Sequence, residues 1–397
     1  MNSNKSAGRI HFVANCLYGT HIAGGDIHFF QLALGAIKAG FQLHFFGGHA
    51  LAYHLQKQEI SATQTVTDSR ILPRINAESL GGQLRLLWDY IGRFFRTICN
   101  LGKIQKDDFA YAVTDYWFDA LPVIFCRAHR KVMVWHMQAP SLKEIIFRTR
   151  ADVDAKRLAS LYFWASQNLT LWLFCRCANK RLIYINPCMR GILLAKGYRE
   201  EEISHVSFGV TVENQSRSSV KRDYDVVWLG RLHRQKGIED LLATLDHLAK
   251  GIPDFRALII GNVKMELRPR LDALGLANVV DTPGFVSEEE KWRLFHASRV
   301  FLMPSRFEGA PRVIGEALLC GLRVIAYDLD NYRFVFRDLV QYAPSFDLSA
   351  FQRIAKEQVV ASRNEANPLS AATLEEFRIE NSWDLARQVF LNTLRPY

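Results

Sequence analysis

The sequence alternates, over nearly its whole length, between short apolar runs and helix-length amphipathic segments. This alternation is typical of βα units, in which each buried strand of a parallel sheet is followed by a helix that covers it. It therefore predicts an α/β fold built from doubly wound parallel sheets. The runs expected to form buried strands are Ile10–Ala14, Gln42–Phe46, Ala110–Thr114, Val132–His136 and Arg181–Ile185, and then Asp225–Gly230, Ala257–Gly261, Val279–Thr282, Val300–Met303 and Arg323–Tyr327.

The alternation is interrupted at Thr211–Asp223, which is rich in Ser, Asn and charged residues and poor in large apolar ones. This is the composition of a linker. A length of 397 residues also fits two domains better than one. We therefore expect an N-terminal Rossmann-like domain over residues 1–208 and a C-terminal one over 209–374. The segment 375–397 is expected to be a helix that returns to the N-terminal domain.

Charge is distributed unevenly between the two halves. Residues 1–200 carry 25 basic and 13 acidic side chains, a net charge of +12, whereas residues 201–397 carry 25 and 27, a net charge of −2. This asymmetry indicates that the first half meets an anionic partner: a lipid surface, a lipid-diphosphate acceptor or nucleic acid. No recognisable nucleic-acid module accompanies the charge, so nucleic acid is the weakest of the three.

The expected location follows from apolar segments and cysteine spacing. No window of about 18 uncharged apolar residues suggests a spanning helix, and no apolar secretory segment follows Met1. The seven cysteines are scattered, with no zinc or redox spacing. We expect a cytoplasmic protein with reduced thiols, and any membrane contact at the inner face of the cytoplasmic membrane.

Two cations follow the first predicted strand of the second half. The segment VVWLGRLHRQKG ends a strand at Gly230 and then presents Arg231, Lys236 and Gly237 before a helical pattern. Ligands of doubly wound sheets gather beyond the carboxyl ends of the strands, where two cations near a helix N-terminus can hold a diphosphate. Two solvated surface cations are the ordinary alternative.

Two carboxylates follow a later strand. In FLMPSRFEGAPRVIGEALLCG, Glu308 lies on a loop and Glu316 lies on the helix that begins near Arg312. Gly309 allows close approach of the backbone to a ligand. A carboxylate can accept hydrogen bonds from both hydroxyls of a vicinal diol. Glu308 and Glu316 could therefore hold two sugar rings of one ligand.

These two segments resemble the motifs of the retaining glycosyltransferases of family 4, which have the GT-B fold: two Rossmann-like doubly wound domains facing across a cleft. The resemblance is strong over residues 225–330 and looser in the first half. It implies that Arg231 and Lys236 hold the donor diphosphate, that Glu308 binds the transferred sugar and that Glu316 binds the nucleotide ribose. It also implies that the backbone of the loop lines the sugar and phosphate pocket, through Gly309, Ala310, Pro311 and Arg312. Ala310-Pro311 departs from the aromatic-Gly pair of many relatives, and Pro311 supplies no amide proton.

The N-terminal half adds three candidate residues by the same resemblance. Gly24 and Gly25 stand in a loop between the first predicted strand and a helical run, although the dinucleotide fingerprint GxGxxG is absent. His136 ends the predicted strand VMVWH. The resemblance implies that Gly24 and Gly25 face the donor or acceptor and that His136 contacts the transferred sugar. A plain strand-to-helix turn and a structural histidine remain the alternatives.

The implied activity is transfer of a hexosyl-type unit from a UDP- or GDP-sugar to a glycan or lipid-linked acceptor, with anomeric retention, in polysaccharide or lipopolysaccharide biosynthesis. Since Arg231 and Lys236 supply positive charge, neither a metal ion nor another cofactor is expected. The alternatives are an epimerase-like enzyme of the same fold and a non-catalytic subunit that binds sugar nucleotides. The presence of both Lys236 and Glu308 weighs against the second.

Two apolar-rich segments bear on the acceptor side. In Leu84–Ile98, charged residues occupy one arc of a helix and large apolar residues occupy the rest. Leu158–Cys177 is rich in Trp, Phe and Leu. Each segment could dock on an anionic bilayer or could be a crossover helix that buries its apolar face against the sheet. The crossover interpretation is preferred for Leu158–Cys177, and neither is preferred for Leu84–Ile98.

Overall fold

The computed structural model describes residues 8–19, 22, 24–68, 80–150, 157–210, 221–232, 234–261, 267–365 and 367–395. The chain forms two compact units. The first comprises the chain up to Ser141, Leu158–Gly209 and the chain from Trp383 onwards. The second comprises Leu142–Arg157 and Val210–Ser382.

The first unit contains a sheet of seven parallel strands in the order β3-β2-β1-β4-β5-β6-β7. The strands are β1 (Arg9–Val13), β2 (Gln42–Gly47), β3 (Thr63–Val66), β4 (Phe109–Ala112), β5 (Arg130–Trp135), β6 (Lys180–Tyr184) and β7 (Ile203–His205). The helices in this part of the chain are α1 (Gly24–Lys38), α2 (His49–Lys57), α3 (Leu80–Cys99), α4 (Trp117–Phe125), α5 (Leu142–Phe147), α6 (Arg157–Cys175) and α7 (Met189–Ala195). Of these, α5 belongs to the second unit.

The second unit contains six parallel strands in the order β10-β9-β8-β11-β12-β13. They are β8 (Tyr224–Leu229), β9 (Ala257–Ile260), β10 (Val280–Gly284), β11 (Ser298–Met303), β12 (Arg323–Tyr327) and β13 (Gln341–Ala343). The later helices are α8 (Ile238–Gly251), α9 (Leu267–Ala273), α10 (Glu288–His296), α11 (Arg312–Leu319), α12 (Tyr332–Phe336), α13 (Leu348–Asn364), α14 (Ala371–Glu380) and α15 (Trp383–Thr393).

Both sheets have the strand order of a Rossmann fold, in which the first strand lies in the middle and the order reverses beside it. The ten strands predicted from the apolar runs are all present. The three that the sequence pattern did not indicate, β3, β7 and β13, have four residues or fewer. All three lie at an edge of their sheet, so each pairs on one side only.

The boundaries of the two units differ in detail from the expected domain limits. The chain passes between units at Gly209/Val210, where the expected limit was 208/209, and again at Ser382/Trp383, where it was 374/375. Most of the predicted linker, residues 211–220, lies outside the described residues. Within the expected terminal segment, α15 packs against α1 of the first unit. The segment Leu142–Arg157 joins the second unit, although the sequence on both sides of it belongs to the first.

Helices α3 and α6 leave several of their large apolar residues exposed. Helix α6 buries Ser160, Gln167 and Thr170 together with Leu171 and Phe174. The prediction that Leu158–Cys177 buries its apolar face is therefore wrong for five large apolar side chains, which are exposed: Leu158, Leu161, Tyr162, Leu169 and Trp172. Among the described residues, no helix combines the length and apolar character needed to cross a bilayer.

One part of the charged arc of α3 faces the interior of the first unit, whereas Arg85 and Arg96 on the same arc are exposed. Arg93, on that arc, is only 1% exposed and donates hydrogen bonds to the carbonyl oxygens of Asn15 and Leu17. Its guanidinium also pairs with Asp89 (2.6 Å) and Asp68 (3.2 Å). Polar partners on the first unit therefore fix the rotation of the helix, because a buried guanidinium without partners would be very unfavourable.

Candidate functional site

The second sheet reverses its strand order between β8 and β11, which pair in parallel. Ligands of doubly wound sheets bind beyond the carboxyl ends of the strands at this switch point. The loop with Arg231 and Lys236 follows β8, and the loop with Glu308 follows β11. The topology therefore brings two segments that are distant in sequence to the same edge of one sheet.

Direct contacts hold the two loops together. A 3₁₀ turn, Arg234–Lys236, is followed by Gly237, which has a φ of 67°. A Cβ atom at Gly237 would lie 1.8 Å from the carbonyl oxygen of Pro304, so only glycine fits this position. In addition, the Arg306 amide donates to the Gln235 carbonyl oxygen, and Gln235 Nε2 donates to the Phe307 carbonyl oxygen, each at 2.8 Å. The spacing between the loops is therefore fixed by their backbones and by the Gln235 side chain.

This arrangement places Lys236 beside Glu308, with 2.5 Å between Nζ and Oε1. The two side chains retain 18% and 13% of their exposure, so the pair lies close to the surface but is largely shielded from water. Partial desolvation strengthens the attraction of each group for an opposite charge or a hydrogen-bonding partner. A ligand with an anionic group next to a hydroxylated ring could meet the ammonium with the first and the carboxylate with the second.

Two further polar residues hold the Glu308 loop. Asp240, buried in the first turn of α8, accepts hydrogen bonds from Arg306 Nη2 and from the Tyr327 hydroxyl, both at 2.9 Å. On the other side, Asn331 Nδ2 donates to the carbonyl oxygens of Glu308 and Gly309. The backbone of the loop is therefore fixed before its side chains meet any ligand.

The loop leads directly into α11. Gly309 and Ala310 are half-buried, and Pro311 occupies the N-cap position without a side-chain hydrogen bond. The helix therefore starts at Arg312 with amide groups that no capping side chain satisfies. Amides at a helix N-terminus attract phosphate or carboxylate oxygens, although Pro311 itself has no N–H to offer.

Glu316 lies deeper than Glu308, with 4% of its surface exposed. Its Oε1 lies 3.0 Å from Arg312 Nε, and its Oε2 lies 3.1 Å from Lys291 Nζ. Lys291 also pairs with Glu288 at 2.7 Å. The Glu316 carboxylate is thus fixed between two cations, and each of its oxygens keeps a second lone pair for a ligand hydroxyl. Arg231, in contrast, is exposed on the loop after β8.

The candidate residues of the first unit lie near one another. Gly24 and Gly25 form the first turn of α1, and His136 follows β5. A Cβ atom at Gly25 would lie 3.6 Å from both Cδ2 and Nε2 of His136, so the imidazole packs closely against this turn. The His28 ring meets the His136 ring edge-on, with 5.7 Å between centroids.

Burial determines the charge of His136. It lowers the pKa of His136 from 6.5 to about 4, and it also lowers the pKa of His28 well below its ordinary value. Among the residues that the structure describes, Nε2 of His136 has no hydrogen-bond partner. His136 is therefore neutral at pH 7 and a weak base, which suits a hydrogen bond to a ligand hydroxyl better than removal of a proton.

Several residues that support the second-unit site were absent from the sequence interpretation. Gln235, Arg306, Asn331 and Lys291 act through contacts with distant parts of the chain, and no local pattern marks them. Arg150 is the least expected. Its guanidinium lies 3.8 Å from the centre of the ring of Phe307, the residue that precedes Glu308 in the chain. It reaches this position because the segment Leu142–Arg157 belongs to the second unit.

Comparisons with known proteins agree with this location. Residues 211–344 match the family described as Glycosyl transferases group 1. A putative colanic acid biosynthesis glycosyltransferase, WcaL of Salmonella typhimurium, is 27% identical over 36% of this chain and 38% of its own. Mannosylfructose-phosphate synthase of Agrobacterium fabrum is 22% identical over 69% and 66%. The match spans only 29% to 38% of the length of WcaL and of two uncharacterised glycosyltransferases.

Similarity to solved structures extends over the whole chain. The crystal structure of HepE from Anabaena in complex with UDP and glucose has a TM-score of 0.69 at 17% identity, and the match covers 98% of this chain and 99% of that one. At this identity the likeness concerns the fold. It confirms the predicted fold class, GT-B, with two Rossmann-like domains.

Proposed function

We propose that this chain is a retaining glycosyltransferase of family 4 that transfers a hexosyl-type sugar from a nucleotide diphosphate sugar to an acceptor. The observation that carries the proposal is the Lys236–Glu308 pair at the switch point of the second sheet. A cation and a carboxylate in contact match a donor in which a diphosphate adjoins a hydroxylated ring. The family match over residues 211–344 includes both members of the pair.

In this proposal, the donor-binding residues together contact the diphosphate, the transferred sugar and the ribose of the nucleotide sugar. Arg231 and Lys236 bind the diphosphate, and the loop backbone from Gly309 through Ala310 and Pro311 to Arg312 lines the sugar and phosphate pocket. Glu308 accepts hydrogen bonds from hydroxyls of the transferred sugar. Glu316, fixed by Arg312 and Lys291, accepts them from the nucleotide ribose. The base is uracil or guanine, and the solved HepE complex contains UDP.

The proposed reaction exchanges one bond at the anomeric carbon for another on the same face of the ring. The bond between this carbon and the diphosphate oxygen breaks, and its electron pair leaves with the phosphate. The acceptor oxygen forms the new bond, and its proton passes to the departing phosphate oxygen. Lys236 and Arg231 stabilise the charge that develops on the leaving group, so the protein acts through orientation and electrostatics.

The first unit supplies the remaining contacts. Gly24 and Gly25 present the N-terminal amides of α1 to donor or acceptor, and neutral His136 donates or accepts one hydrogen bond with the transferred sugar. The acceptor is a glycan or a lipid-linked glycan of polysaccharide or lipopolysaccharide biosynthesis. Since WcaL is named for colanic acid biosynthesis, its similarity supports this class of acceptor. We propose a cytoplasmic location, at the inner face of the cytoplasmic membrane.

Ligand binding provides the first test. A thermal-shift panel of UDP- and GDP-sugars should contain at least one compound that raises the melting temperature, because a ligand that binds only the folded state stabilises it. Product analysis with that donor and acceptor glycans should give a glycoside whose anomeric configuration, read by NMR, equals that of the donor. Turnover without any acceptor would indicate an epimerase. Binding without turnover on any acceptor would favour the non-catalytic alternative.

The role of Lys236 is tested by Lys236→Met, which keeps the length of the side chain and removes its charge. We expect single-turnover rates to fall by about 10²–10³-fold, as for loss of one preorganised group that stabilises a transition state, with a smaller loss of nucleotide affinity. Lys250→Met is the matched control, because Lys250 is exposed on α8 and pairs with Asp246. Equal rates for Lys236→Met and the parent would overturn the assignment.

A further inference from the structure

Helix α6 presents an apolar stripe to solvent along its whole length. Leu158, Leu161, Tyr162, Leu169 and Trp172 are separated by intervals that place them on one face of a helix, and all are exposed, Leu158 by 82%. The helix has 19 residues, so the stripe is about 28 Å long. Contiguous apolar surface of this size marks a contact with another molecule.

The opposite face of α6 explains why the stripe cannot turn inward. Gln167 donates to Asp115 Oδ2 at 2.8 Å and to the Met137 carbonyl oxygen at 2.9 Å, while its own oxygen accepts from the Ala139 amide. The Thr170 hydroxyl donates to the Asp115 carbonyl oxygen. Rotation of the helix to bury the stripe would break these buried hydrogen bonds, and each polar group left without a partner would cost stability.

Helix α3 has the same inverted arrangement. Its buried side carries Arg93, which is bonded to Asn15, Leu17, Asp68 and Asp89. Its exposed side carries three large apolar residues: Leu84, Trp88 (70% exposed) and Phe95. Each of the two helices therefore turns polar residues inward and leaves large apolar residues in solvent, so the exposure is not confined to one helix of the unit.

Aromatic contacts join the two helices. Trp117, at the start of α4, donates a hydrogen bond from Nε1 to the Tyr162 hydroxyl of α6. On its other side, the Trp117 ring meets the Phe94 ring of α3 edge-on, with 5.2 Å between centroids. We call the exposed apolar residues of α3 and α6, together with Trp117, the α3–α6 surface.

The charges around the α3–α6 surface are positive. Arg85 and Arg96 on α3, Arg157 at the start of α6 and Arg176 just after its end are all exposed. The guanidinium of Arg176 lies 3.6 Å from the centre of the Trp172 ring, so this charge is held beside the stripe. The sequences of the two helices contain a single acidic residue, Asp89, and it is paired with Arg93.

We propose that the α3–α6 surface docks on an anionic lipid bilayer. Its leucine and aromatic side chains would enter the boundary between headgroups and acyl chains, and its arginines would meet lipid phosphates. The excess of positive charge favours this occupant over a second copy of the chain, because two copies would bring charges of the same sign together. The proposal is independent of the catalytic assignment, since binding to lipid needs no donor.

Sedimentation with vesicles tests the proposal. The purified chain is mixed with vesicles of phosphatidylcholine alone or of phosphatidylcholine with phosphatidylglycerol, and we expect the parent to sediment with the anionic vesicles. The triple variant Leu161→Ser, Leu169→Ser, Trp172→Ser should bind them at least about tenfold more weakly. Arg157→Gln with Arg176→Gln should weaken binding by about fivefold for each charge removed, and added salt should weaken the binding of the parent.

A matched control removes three exposed apolar residues from the second unit, Leu274→Ser, Val360→Ser and Ile379→Ser, and should sediment as the parent does. Thermal unfolding establishes that both triple variants are folded, as expected for exposed positions. The proposal fails if the parent stays in the supernatant with both lipids, or if both triple variants bind equally. It also fails if neither the parent nor the α6 triple variant binds vesicles, and light scattering shows that the parent is a dimer. In that outcome the α6 substitutions, and not the control substitutions, dissociate the dimer.

Discussion

Helices α8 and α6 differ in what they bury, although each covers a parallel sheet of the same strand order. Helix α8 turns Leu241, Leu242 and Leu245 towards the core of the second unit. Helix α6 turns Gln167 and Thr170 inward beside Leu171 and Phe174, and it leaves five large apolar residues in solvent. The alternation of strands and helices therefore specifies the architecture of both units. It does not specify which face of each helix is buried and which is exposed.

The second unit keeps Arg231, Lys236 and Glu308 on loops at the carboxyl edge of the sheet, and Glu316 follows on α11. The first unit buries polar side chains on the inner faces of its helices, and Arg93 of α3 is the clearest example. We infer that the second unit has a conventional apolar core and a site built on loops and on the start of α11. The first has a partly polar interior and an apolar surface available for docking. Four predictions test this contrast, beginning with the largest expected effect.

Replacement of Arg93 by methionine should destabilise the first unit by about 3–5 kcal/mol, because it leaves Asp68 and Asp89 without their buried cation. Arg85→Met, on the exposed side of the same helix, should change stability by less than about 0.5 kcal/mol. Urea unfolding measures both. Similar values for the two variants would show that α3 does not depend on its polar interior.

Matched leucines on the two helices compare their faces directly. Leu245→Ala on α8 removes a side chain with no exposure and should cost about 2–5 kcal/mol of unfolding free energy. Leu169→Ala on α6, where half of the residue surface is exposed, should cost less than about 0.5 kcal/mol. Urea unfolding of the pair is the measurement. A large cost at Leu169 would contradict the inverted orientation of α6.

The site of the second unit should depend on one close backbone approach. Gly237→Ala combines a left-handed φ with a clash against Pro304, so we expect the free energy of unfolding to fall by about 3 kcal/mol. We also expect the affinity for the nucleotide sugar to fall. Gly275→Ala is the control, because Gly275 has a φ of 69° and no atom within 4 Å of an added Cβ. It should lose about 1 kcal/mol in urea unfolding and bind the nucleotide sugar normally. Equal losses would mean that the approach to Pro304 is unimportant.

The polar interior of the first unit should also give it a pH dependence. Burial raises the pKa of the Asp119 carboxyl from 3.8 to about 7. The unfolded chain releases this proton near pH 4 and the folded chain near pH 7, so the contribution of Asp119 to stability falls as pH rises between these values. Buried His28 and His136 act in the opposite direction over part of this range, because burial lowers the pKa of each.

Comparison with a variant isolates the carboxyl. From about pH 5 to about pH 7, the unfolding free energy of Asp119→Asn should rise relative to the parent by up to about 1 kcal/mol per pH unit. Asp384→Asn, at an exposed position, should show a constant difference from the parent. A constant difference for Asp119→Asn as well would contradict a buried, protonated carboxyl.

The extent to which the sequence predicts this molecule follows from the range of the contacts involved. Apolar runs in the sequence identified ten strands, because a strand that is covered on both faces is apolar over most of its length. The strands β3, β7 and β13 escaped, because three or four residues at a sheet edge carry too little pattern. Lys236 and Glu308 were recognisable from their place after strands, but their contact was not. The hydrogen bonds that align them join the backbone and side chain of Gln235 to Arg306 and Phe307, which are distant in sequence.

Helix α3 shows the same limit in another form. Its charged arc is visible in the sequence, but the side of the helix that faces solvent is not. That choice depends on Asp68 and on the carbonyl oxygens of Asn15 and Leu17, which lie on other elements. The sequence pattern of a helix shows which residues share a face. Which face is buried depends on partners that are distant in sequence.

The exchange of segments between the units affects the order in which the chain matures. Domains generally fold as units while they emerge from the ribosome, the N-terminal one first. Here the first unit needs α15, whose Phe390 and Ala386 are buried in it, and α15 is translated only after the whole of the second unit. The early part of the chain must therefore wait with the α15-binding side of α1 uncovered, and translation of residues 383–393 is the event that closes it.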